Sequence, residues 1–202
     1  MSKAWRHFKT ITYHKYLVAK GCFRVGLYRQ GILHDLSKYS PEEFLVGVKY
    51  FQGNRSPNNA EREALGYSRA WMHHKGRNKH HFEYWNDYDK EGNVIPVPMP
   101  DRYIAEMLMD RIAASKVYEG KAYTDASPLA YYRKGKAANS IMHEYTRSVL
   151  ERMLKLLADK GEDRALRYIR RTLVRNGTMD NIVRKTHKKN KIKKAPFAGG
   201  SI

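Results

Sequence analysis

Apolar side chains recur along most of this chain at intervals of three and four residues, the spacing that places them on one face of an α-helix. The first such run predicts a long helix from about Ser2 to Leu27, with apolar or aromatic residues at Trp5, Phe8, Ile11, Leu17, Val18, Phe23 and Leu27. Gly31 interrupts the run, and a short second helix is predicted over residues 32–36. Signals for β-strands are weak, so the pattern predicts an all-α fold.

Capping residues, prolines and glycines divide the rest of the chain. Ser40, Pro41 and Glu43 have the pattern of a capping box, so a third helix should begin there and end near Gly53. Segment 92–100 has three prolines and should be extended. Further helices are expected at about 60–74 (ended by Gly76), 78–88, 101–119, a short one from 127, one from 139 or 140 to 161, and 162–175.

The chain is strongly basic, with a net charge of +19 from 39 basic and 20 acidic residues. Seven of the basic residues are concentrated in segment 184–194, and no acid follows Asp180. We therefore expect one helical domain over residues 1–180 and a basic, flexible tail over 181–202. Such a charge favours a phosphate-bearing small molecule as substrate, and it makes the tail a candidate contact for nucleic acid.

The sequence has no feature typical of export or of membrane insertion. Its start lacks the apolar segment of a signal peptide, and no apolar run approaches the roughly 20 residues needed to span a bilayer. Its one cysteine, Cys22, cannot form an internal disulfide. We therefore expect a cytoplasmic protein that does not interact with membranes.

Histidines are concentrated in the first part of the chain, where they are candidate metal ligands. Seven of the nine histidines precede residue 82, namely His7, His14, His34, His73, His74, His80 and His81. Neutral imidazole is the commonest side-chain metal ligand, and carboxylates beside it suit divalent cations such as iron, manganese, magnesium or zinc. The adjacent His34 and Asp35 can reach one ion only from a helix end or a bent segment, and Gly31 favours such a bend.

Asp110 is a second candidate because it lies in a helix that is apolar over much of its circumference. A carboxylate in such a place is costly to bury without a cation or hydrogen-bond donors. The cation could be a metal ion, or Asp110 could form an ion pair with Arg111 or a nearby lysine. A lone histidine such as His14 is more often a structural residue than a metal ligand.

A group of four histidines lies between residues 73 and 81, in pairs with seven-residue spacing. The pairs are His73 with His80 and His74 with His81. Each pair would share a face of one continuous helix, or would meet across a loop at Gly76. Lys75, Arg77 and Lys79 lie between them and could bind an anionic substrate. The alternatives are surface histidines in a basic cleft and a solvated loop.

The segment His34-Asp35-Leu36-Ser37-Lys38 resembles the His-Asp-x-x-Lys signature of the HD-domain metal-dependent phosphohydrolase superfamily. In those proteins an upstream histidine, the His-Asp pair and a later aspartate bind the first metal ion. The resemblance therefore implies an HD-like helical bundle with this ligand set: His14, His34, Asp35 and Asp110. Branches with two ions add histidines from the interval that here contains His73, His74, His80 and His81.

Longer strings of the sequence are similar to a small, uncharacterised bacterial and phage family with no established activity. These strings are HDLSKYSPEEF, WMHHKGRNKHHFEYW and MPDRYIAEMLMDRIAASKVY. The closer resemblance thus implies the metal site, and the more distant one implies the chemistry.

The chemistry implied by the HD resemblance is hydrolysis of a nucleotide or another small phosphate ester. One or two divalent ions (manganese, iron, magnesium, zinc, cobalt or nickel) would activate water and polarise the phosphoryl group. Lys38 and Arg77 are expected to neutralise phosphate oxygens, and Glu42 or Glu43 to orient water. Two alternatives remain open, namely a di-iron oxygenase of HD type and a non-catalytic nucleic-acid-binding protein.

Overall fold

The computed structural model describes residues 1–135 and 141–177, which form an all-α fold with one small hairpin, so the predicted fold class is confirmed. The α-helices are α1 (Lys3–Val25), α2 (Tyr28–Leu33), α3 (Pro41–Tyr50), α4 (Pro57–Leu65), α5 (Arg69–Arg77), α6 (Asp101–Glu119), α7 (Ser127–Lys134), α8 (Glu144–Lys160) and α9 (Glu162–Ile169). The described helices include none that is long and apolar enough to cross a membrane.

Shorter elements connect these helices. The 3₁₀ turns are Leu36–Tyr39, Phe82–Tyr84 and Gly120–Ala122, and a π-helical turn, Arg170–Val174, continues α9. Strand β1 (Asn86–Tyr88) pairs antiparallel with β2 (Val94–Pro96).

Helix α6 is at the centre of the fold, and α1 packs along it. Its apolar residues are buried around most of its circumference, namely Ile104, Ala105, Met107, Leu108, Met109, Ile112 and Ala113. The core is completed mainly from α1, α8 and α9, by Val18, Cys22, Leu150, Leu154, Leu157, Leu166 and Ile169. Burying each large apolar side chain stabilises the fold by about 1.5–3 kcal/mol. Glu106 and Asp110 interrupt this apolar surface one helical turn apart.

The ends of α1 and α6 agree with the sequence prediction. The Ser2 side chain accepts a hydrogen bond from the Trp5 backbone N–H (3.2 Å), and α1 ends at Gly26, whose φ of 91° is left-handed. Pro100 precedes α6, and Gly120 follows it. A side-chain cap and a left-handed glycine thus bound α1, whereas α6 lies between a proline and a glycine without a side-chain cap.

The middle of the chain differs from the prediction at its glycines. Gly31 lies inside α2, so the predicted second helix is displaced towards the N-terminus. The helix expected over 60–74 is two helices, because Gly66 adopts a left-handed conformation (φ 81°) and ends α4. Gly76, expected to be a stop, lies within α5. Periodicity alone did not reveal which glycine adopts the left-handed conformation.

The helix expected over residues 78–88 is not formed. Asn78 caps α5, and the chain continues through the turn Phe82–Tyr84 into β1. The Asp89 carboxylate stabilises the hairpin by accepting hydrogen bonds from the backbone N–H groups of Glu91 (3.0 Å) and Asn93 (2.8 Å). A local side-chain to backbone motif therefore outweighs the helical pattern here.

Near the C-terminus, the order of helices agrees with the prediction. The helix expected to begin at residue 139 or 140 begins later, at Glu144, because His143 is its N-cap and accepts a hydrogen bond from the Tyr145 backbone N–H. The basic tail expected over 181–202 lies outside the described residues. The final helix expected over 162–175 consists of α9 and its π-helical turn.

Helix α3 packs on α1 through a close contact between a glycine and a histidine. His7 is buried between the rings of Phe44 (5.4 Å) and Phe51 (5.5 Å). Burial, helped by the positive charge of Lys38, lowers the pKa of His7 to about 4, so its ring is neutral at pH 7. A Cβ atom at Gly47 would lie 2.2 Å from His7 Nε2. Only glycine at this position allows the observed approach of the two helices.

We expect Gly47→Ala to destabilise the fold by about 1–3 kcal/mol, because the added methyl group must displace a buried ring. Gly76→Ala is the matched control, since Gly76 is also helical but a Cβ there meets nothing within 4 Å. That change should stabilise the fold by roughly 0.5–1 kcal/mol. Chemical denaturation measures both values, and equal stability of the two variants would contradict the packing argument.

Candidate metal centre

Histidine and aspartate side chains from three helices and two connections converge at one largely buried point. They form two sets that share Asp35, and the ligand-capable atoms of each set lie within 4.8 Å of one another. We define site A as His14, His34, Asp35 and Asp110. We define site B as Asp35, His74, His80 and His81.

The backbone at Asp35 explains how two adjacent side chains face the same point. Helix α2 ends at Leu33, and Asp35 follows with φ 53° and ψ 27°. It is the only non-glycine residue in the described ranges with a positive φ. Aspartate tolerates this left-handed conformation better than most residues, at a cost on the order of 1–3 kcal/mol. The expected bend is therefore confirmed, but it lies at Asp35 rather than at Gly31.

Lys15 fixes the end of α2 against α1. Its ammonium group donates hydrogen bonds to the carbonyl oxygens of Ile32 (2.5 Å) and His34 (2.8 Å). The last carbonyls of a helix lack partners within the helix, so this side chain satisfies two of them. Because Lys15 follows His14, one stretch of α1 positions two ligand segments of site A.

The atoms of site A have the spacing of ligands around one cation. His14 Nε2 lies 2.9 Å from Asp110 Oδ1 and 3.7 Å from Asp35 Oδ2. His34 Nε2 lies 3.2 Å from Asp35 Oδ2 and 3.6 Å from Asp110 Oδ1. Ligands about 2.1 Å from an ion lie about 3 Å apart at adjacent octahedral positions.

Site B uses the other oxygen of the same carboxylate. Asp35 Oδ1 lies 3.3 Å from His74 Nε2 and 3.4 Å from His80 Nε2. His81 completes the group. Asp35 therefore presents Oδ2 to site A and Oδ1 to site B, an arrangement in which one carboxylate could bridge two cations.

The polar atoms that face this point fit metal ions rather than one another. Several are fully buried and form no hydrogen bond of normal geometry within the described residues: Nε2 of His14, His34, His80 and His81, and both oxygens of Asp35, of which Oδ2 has an ion-pair contact with Lys38. A buried polar atom without a partner costs about 1–3 kcal/mol. Imidazole nitrogens and carboxylate oxygens at this spacing are a suitable donor set for divalent transition metals.

Buried carboxylates hold the opposite nitrogens of three of these histidines. His74 Nδ1–H donates to Glu43 Oε2 at 2.8 Å. His34 Nδ1–H donates to Glu106 Oε1 at 2.9 Å, and His80 Nδ1 lies 3.3 Å from the same oxygen. Such contacts orient metal-binding histidines and leave the Nε2 lone pair for the ion.

The charges around the centre keep its carboxylates ionised. Burial alone would raise the pKa of Asp35, but His34, Lys38 and His74 lower it well below its usual value. Burial would also raise the pKa of Asp110, but the neighbouring imidazoles of His14 and His34, with Nε2 at 2.9 and 3.6 Å from its Oδ1, lower it well below the usual value. Ionised carboxylates are the form that binds metal ions.

The histidines differ in their electrostatic environment. Burial lowers the pKa of His14 and His81, so both are neutral and able to act as ligands at pH 7. Burial also opposes protonation of His34, but Asp35 and Asp110 outweigh it and raise the pKa of His34 well above its usual value. An ion bound at site A would have to displace that proton.

The structure brings Lys38 to the centre but not several other predicted residues. Lys38 Nζ lies 2.5 Å from Asp35 Oδ2. His73 is half-buried, and its Nδ1–H donates to Glu43 Oε1 at 2.6 Å, because its ring points about 100° away from that of His74 on the same helix. Its Nε2 lies 4.0 Å from the Glu42 carboxylate, which is exposed. His73 and Glu42 are thus outside sites A and B.

The predicted cations of the 73–81 segment lie on its outer side. Arg77 and Lys79 are exposed, and Lys79 Nζ lies 5.6 Å from the centre of the Tyr84 ring. Lys75 is half-buried and interacts electrostatically with Glu83. Within the described residues, no hydrogen bond or ion pair joins any of the three cations to site A or B.

Sequence reasoning missed Glu106 and gave Glu43 the wrong partner. Glu43 was expected to complete a capping box with Ser40, but the Ser40 side chain makes no capping hydrogen bond and the Glu43 carboxylate binds His73 and His74. Glu106 lies four residues before Asp110, hence on the same face of an apolar helix. The argument that singled out Asp110 as a costly buried acid applies equally to Glu106.

The fold and this centre together define an all-α protein with a candidate two-cation site. The chain belongs to DUF5662, a family of unknown function whose profile matches residues 3–156. The matched segment includes every residue of sites A and B. Neither the curated proteins nor the solved structures contain a significant match to this chain.

We expect Asp35→Gly to abolish binding at both sites, because it removes the shared carboxylate at a backbone conformation that glycine adopts without strain. Asp110→Ala should abolish binding at site A only. The loss of affinity should exceed the roughly 10–100-fold that removal of an outer-shell partner costs. Equilibrium dialysis against Mn²⁺ with elemental analysis measures the stoichiometry, with exposed Asp159→Asn as control. Two ions retained by the Asp35 variant would contradict the assignment.

Proposed function

We propose that this protein is a metal-dependent phosphohydrolase that holds two divalent cations and acts on a nucleotide or another small phosphate ester. The main support is Asp35, whose two carboxylate oxygens face two different sets of histidines at 3.2–3.4 Å. Paired cations of this kind are typical of enzymes that hydrolyse phosphate esters.

When bound, the cations would supply Lewis acidity for attack of water on a phosphoryl group. The protein's contribution is to hold the ligands rigidly before the substrate arrives. Glu43 and Glu106 hold three imidazole rings at their Nδ1 atoms, those of His34, His74 and His80. Lys15 holds the backbone at His34. Such preorganisation is the main way in which a protein favours a transition state that carries developing charge.

Lys38 is well placed to bind a phosphate oxygen. Its Nζ lies 2.5 Å from Asp35 Oδ2, at the centre, and its side chain is 28% exposed, so Lys38 connects the centre to the protein surface. Burial disfavours the charged form, but Asp35 outweighs this effect and raises the pKa of Lys38 above its ordinary value. The side chain therefore stays cationic at pH 7 and can neutralise charge on the substrate.

Arg111 is a second cation next to the centre. Its Nε is buried without a hydrogen-bond partner among the described residues, and it interacts electrostatically with Asp110 and Glu83. A guanidinium group with an unused donor is suited to a phosphate oxygen. Lys75, Arg77 and Lys79 would contact substrate groups farther from the ions.

We expect hydrolysis of p-nitrophenyl phosphate or of nucleoside phosphates to require an added divalent cation. Lys38→Met should lower kcat/KM by about 10²–10³-fold, as loss of a charge-stabilising donor does, and Asp35→Gly should abolish turnover. Phosphate release with Mn²⁺, Fe²⁺, Mg²⁺ and Zn²⁺ measures this, and Asp159→Asn should behave as wild type. Intact turnover in the Asp35 variant would reject the proposal.

Substrate-dependent oxygen uptake by the iron-loaded protein, without phosphate release, would instead support an HD-type di-iron oxygenase.

A second candidate function, nucleic-acid binding, is favoured by an arginine-rich surface on α9 and its continuation. We call this the arginine face, and its members are Arg164, Arg167, Arg170, Arg171 and Arg175. All five are exposed, whereas Ala165, Leu166 and Ile169 turn inwards to the core. Segment 164–177 contains no acid, and within the described residues none of the five arginines has an ion-pair partner. Arginine binds phosphate through two parallel donors, so a nucleic-acid backbone suits this surface.

We expect the triple change Arg164→Gln, Arg167→Gln and Arg171→Gln to weaken oligonucleotide binding by at least about tenfold at low salt. The dependence of log K on log salt should become shallower by roughly 0.7–0.9 per lost phosphate contact. Fluorescence anisotropy with single- and double-stranded probes measures both effects in the full chain.

The control removes the same charge elsewhere, by Lys9→Gln, Arg29→Gln and Lys90→Gln, all at exposed positions. An equal loss in the two triple variants would mean that net charge, not the arginine face, drives binding.

A further inference from the structure

Glu106 lies behind the metal centre and is shared by the two sites. Its Oε1 accepts a hydrogen bond from His34 Nδ1–H at 2.9 Å, and His80 Nδ1 lies 3.3 Å from the same oxygen. His34 belongs to site A and His80 to site B. The carboxylate is buried, and α6 holds it one turn before Asp110.

These contacts close a ring of four side chains. The Nε2 atoms of His34 and His80 face the two oxygens of Asp35, at 3.2 and 3.4 Å. Their Nδ1 atoms meet at Glu106, and the centres of the two imidazole rings are 4.3 Å apart. Asp35 therefore joins the two sites on the Nε2 side of the imidazole rings, and Glu106 joins them on the Nδ1 side.

His34, His80 and Glu106 could in principle hold an ion of their own, since their ligand-capable atoms lie close together. A neutral imidazole has only one nitrogen with a free lone pair, however. If Nδ1 bound an ion beside Glu106, Nε2 would carry the proton and could not be a ligand at site A or B. Because His14, His74, His81 and Asp110 converge on the Nε2 side, we assign Glu106 to the outer shell.

We propose that Glu106 is a shared positioning residue, which orients one histidine ligand of each site and so supports the binding of both cations. This inference rests on the proposed two-cation centre, but it does not depend on which reaction the centre catalyses. Substitution of Glu106 should therefore lower the affinity for both cations, although Glu106 itself would contact neither cation.

Glu43 provides a matched comparison within the same protein. It is also a buried carboxylate that accepts an Nδ1–H hydrogen bond, from His74 at 2.8 Å. Its other partner, His73, is outside both sites. Glu43 should therefore support site B alone.

The test is isothermal titration of wild type, Glu106→Gln and Glu43→Gln with Mn²⁺. Glutamine keeps the size of the side chain but replaces a charge-assisted hydrogen bond by a weaker neutral one. We expect Glu106→Gln to weaken both binding steps by about 10–100-fold each, and Glu43→Gln to weaken one step by a similar factor. Thermal melting of the metal-free proteins shows whether either change acts through loss of folding.

A Glu106→Gln protein that loses affinity at only one site, or at neither, would overturn the inference. If wild type binds no Mn²⁺, the two-cation centre itself fails, and the proposed function fails with it. Should Glu106→Gln not fold, Glu106→Asp provides the same test, because it keeps the charge and shortens the side chain by one methylene. Wild-type affinity at either site in that variant would also contradict a shared role.

Discussion

The burial of the Asp35 carboxylate is the constraint on which the rest of the structure depends. An ionised carboxylate in a low-dielectric interior is stable only if cations or hydrogen-bond donors surround it. Here histidines on both sides and the ammonium group of Lys38 provide that environment. His34 and Lys38 are neighbours of Asp35 in the sequence, whereas His14 belongs to α1 and His74 to α5. The charge at residue 35 therefore links this connection to two helices that are distant in the sequence.

Helix α6 contributes to both the hydrophobic core and the polar centre, through different faces. Most of its circumference is buried among apolar side chains of α1, α8 and α9, which fixes the helix in place. The remaining face carries Glu106 and Asp110. Because the core holds the backbone of α6 rigidly, these two acids can be positioned to within the tolerance that ligand chemistry demands. Close helix packing, such as the contact of Gly47 with His7, does the same for α3 and its Glu43.

Much of this arrangement could be predicted from the sequence, and the remainder could not for identifiable reasons. Apolar periodicity located α1, Pro100 and Gly120 located α6, and the order of His14, His34, Asp35 and Asp110, which resembles that of HD-domain proteins, anticipated site A. The role of Glu43 was wrong because Ser40-Pro41-Glu42-Glu43 also satisfies a local capping pattern, and sequence alone cannot show that a tertiary contact prevails. His73 and His74 are indistinguishable by spacing, since only the rotation of α5 decides which ring turns inwards.

The left-handed backbone at Asp35 has a consequence for how this site can vary among related chains. The conformation is readily accessible to glycine, asparagine and aspartate. Joining two cations requires a carboxylate, which only aspartate and glutamate possess. Aspartate is the one amino acid common to both sets. A chain with asparagine or glycine at this position could therefore retain the same architecture while lacking a carboxylate that could join two ions.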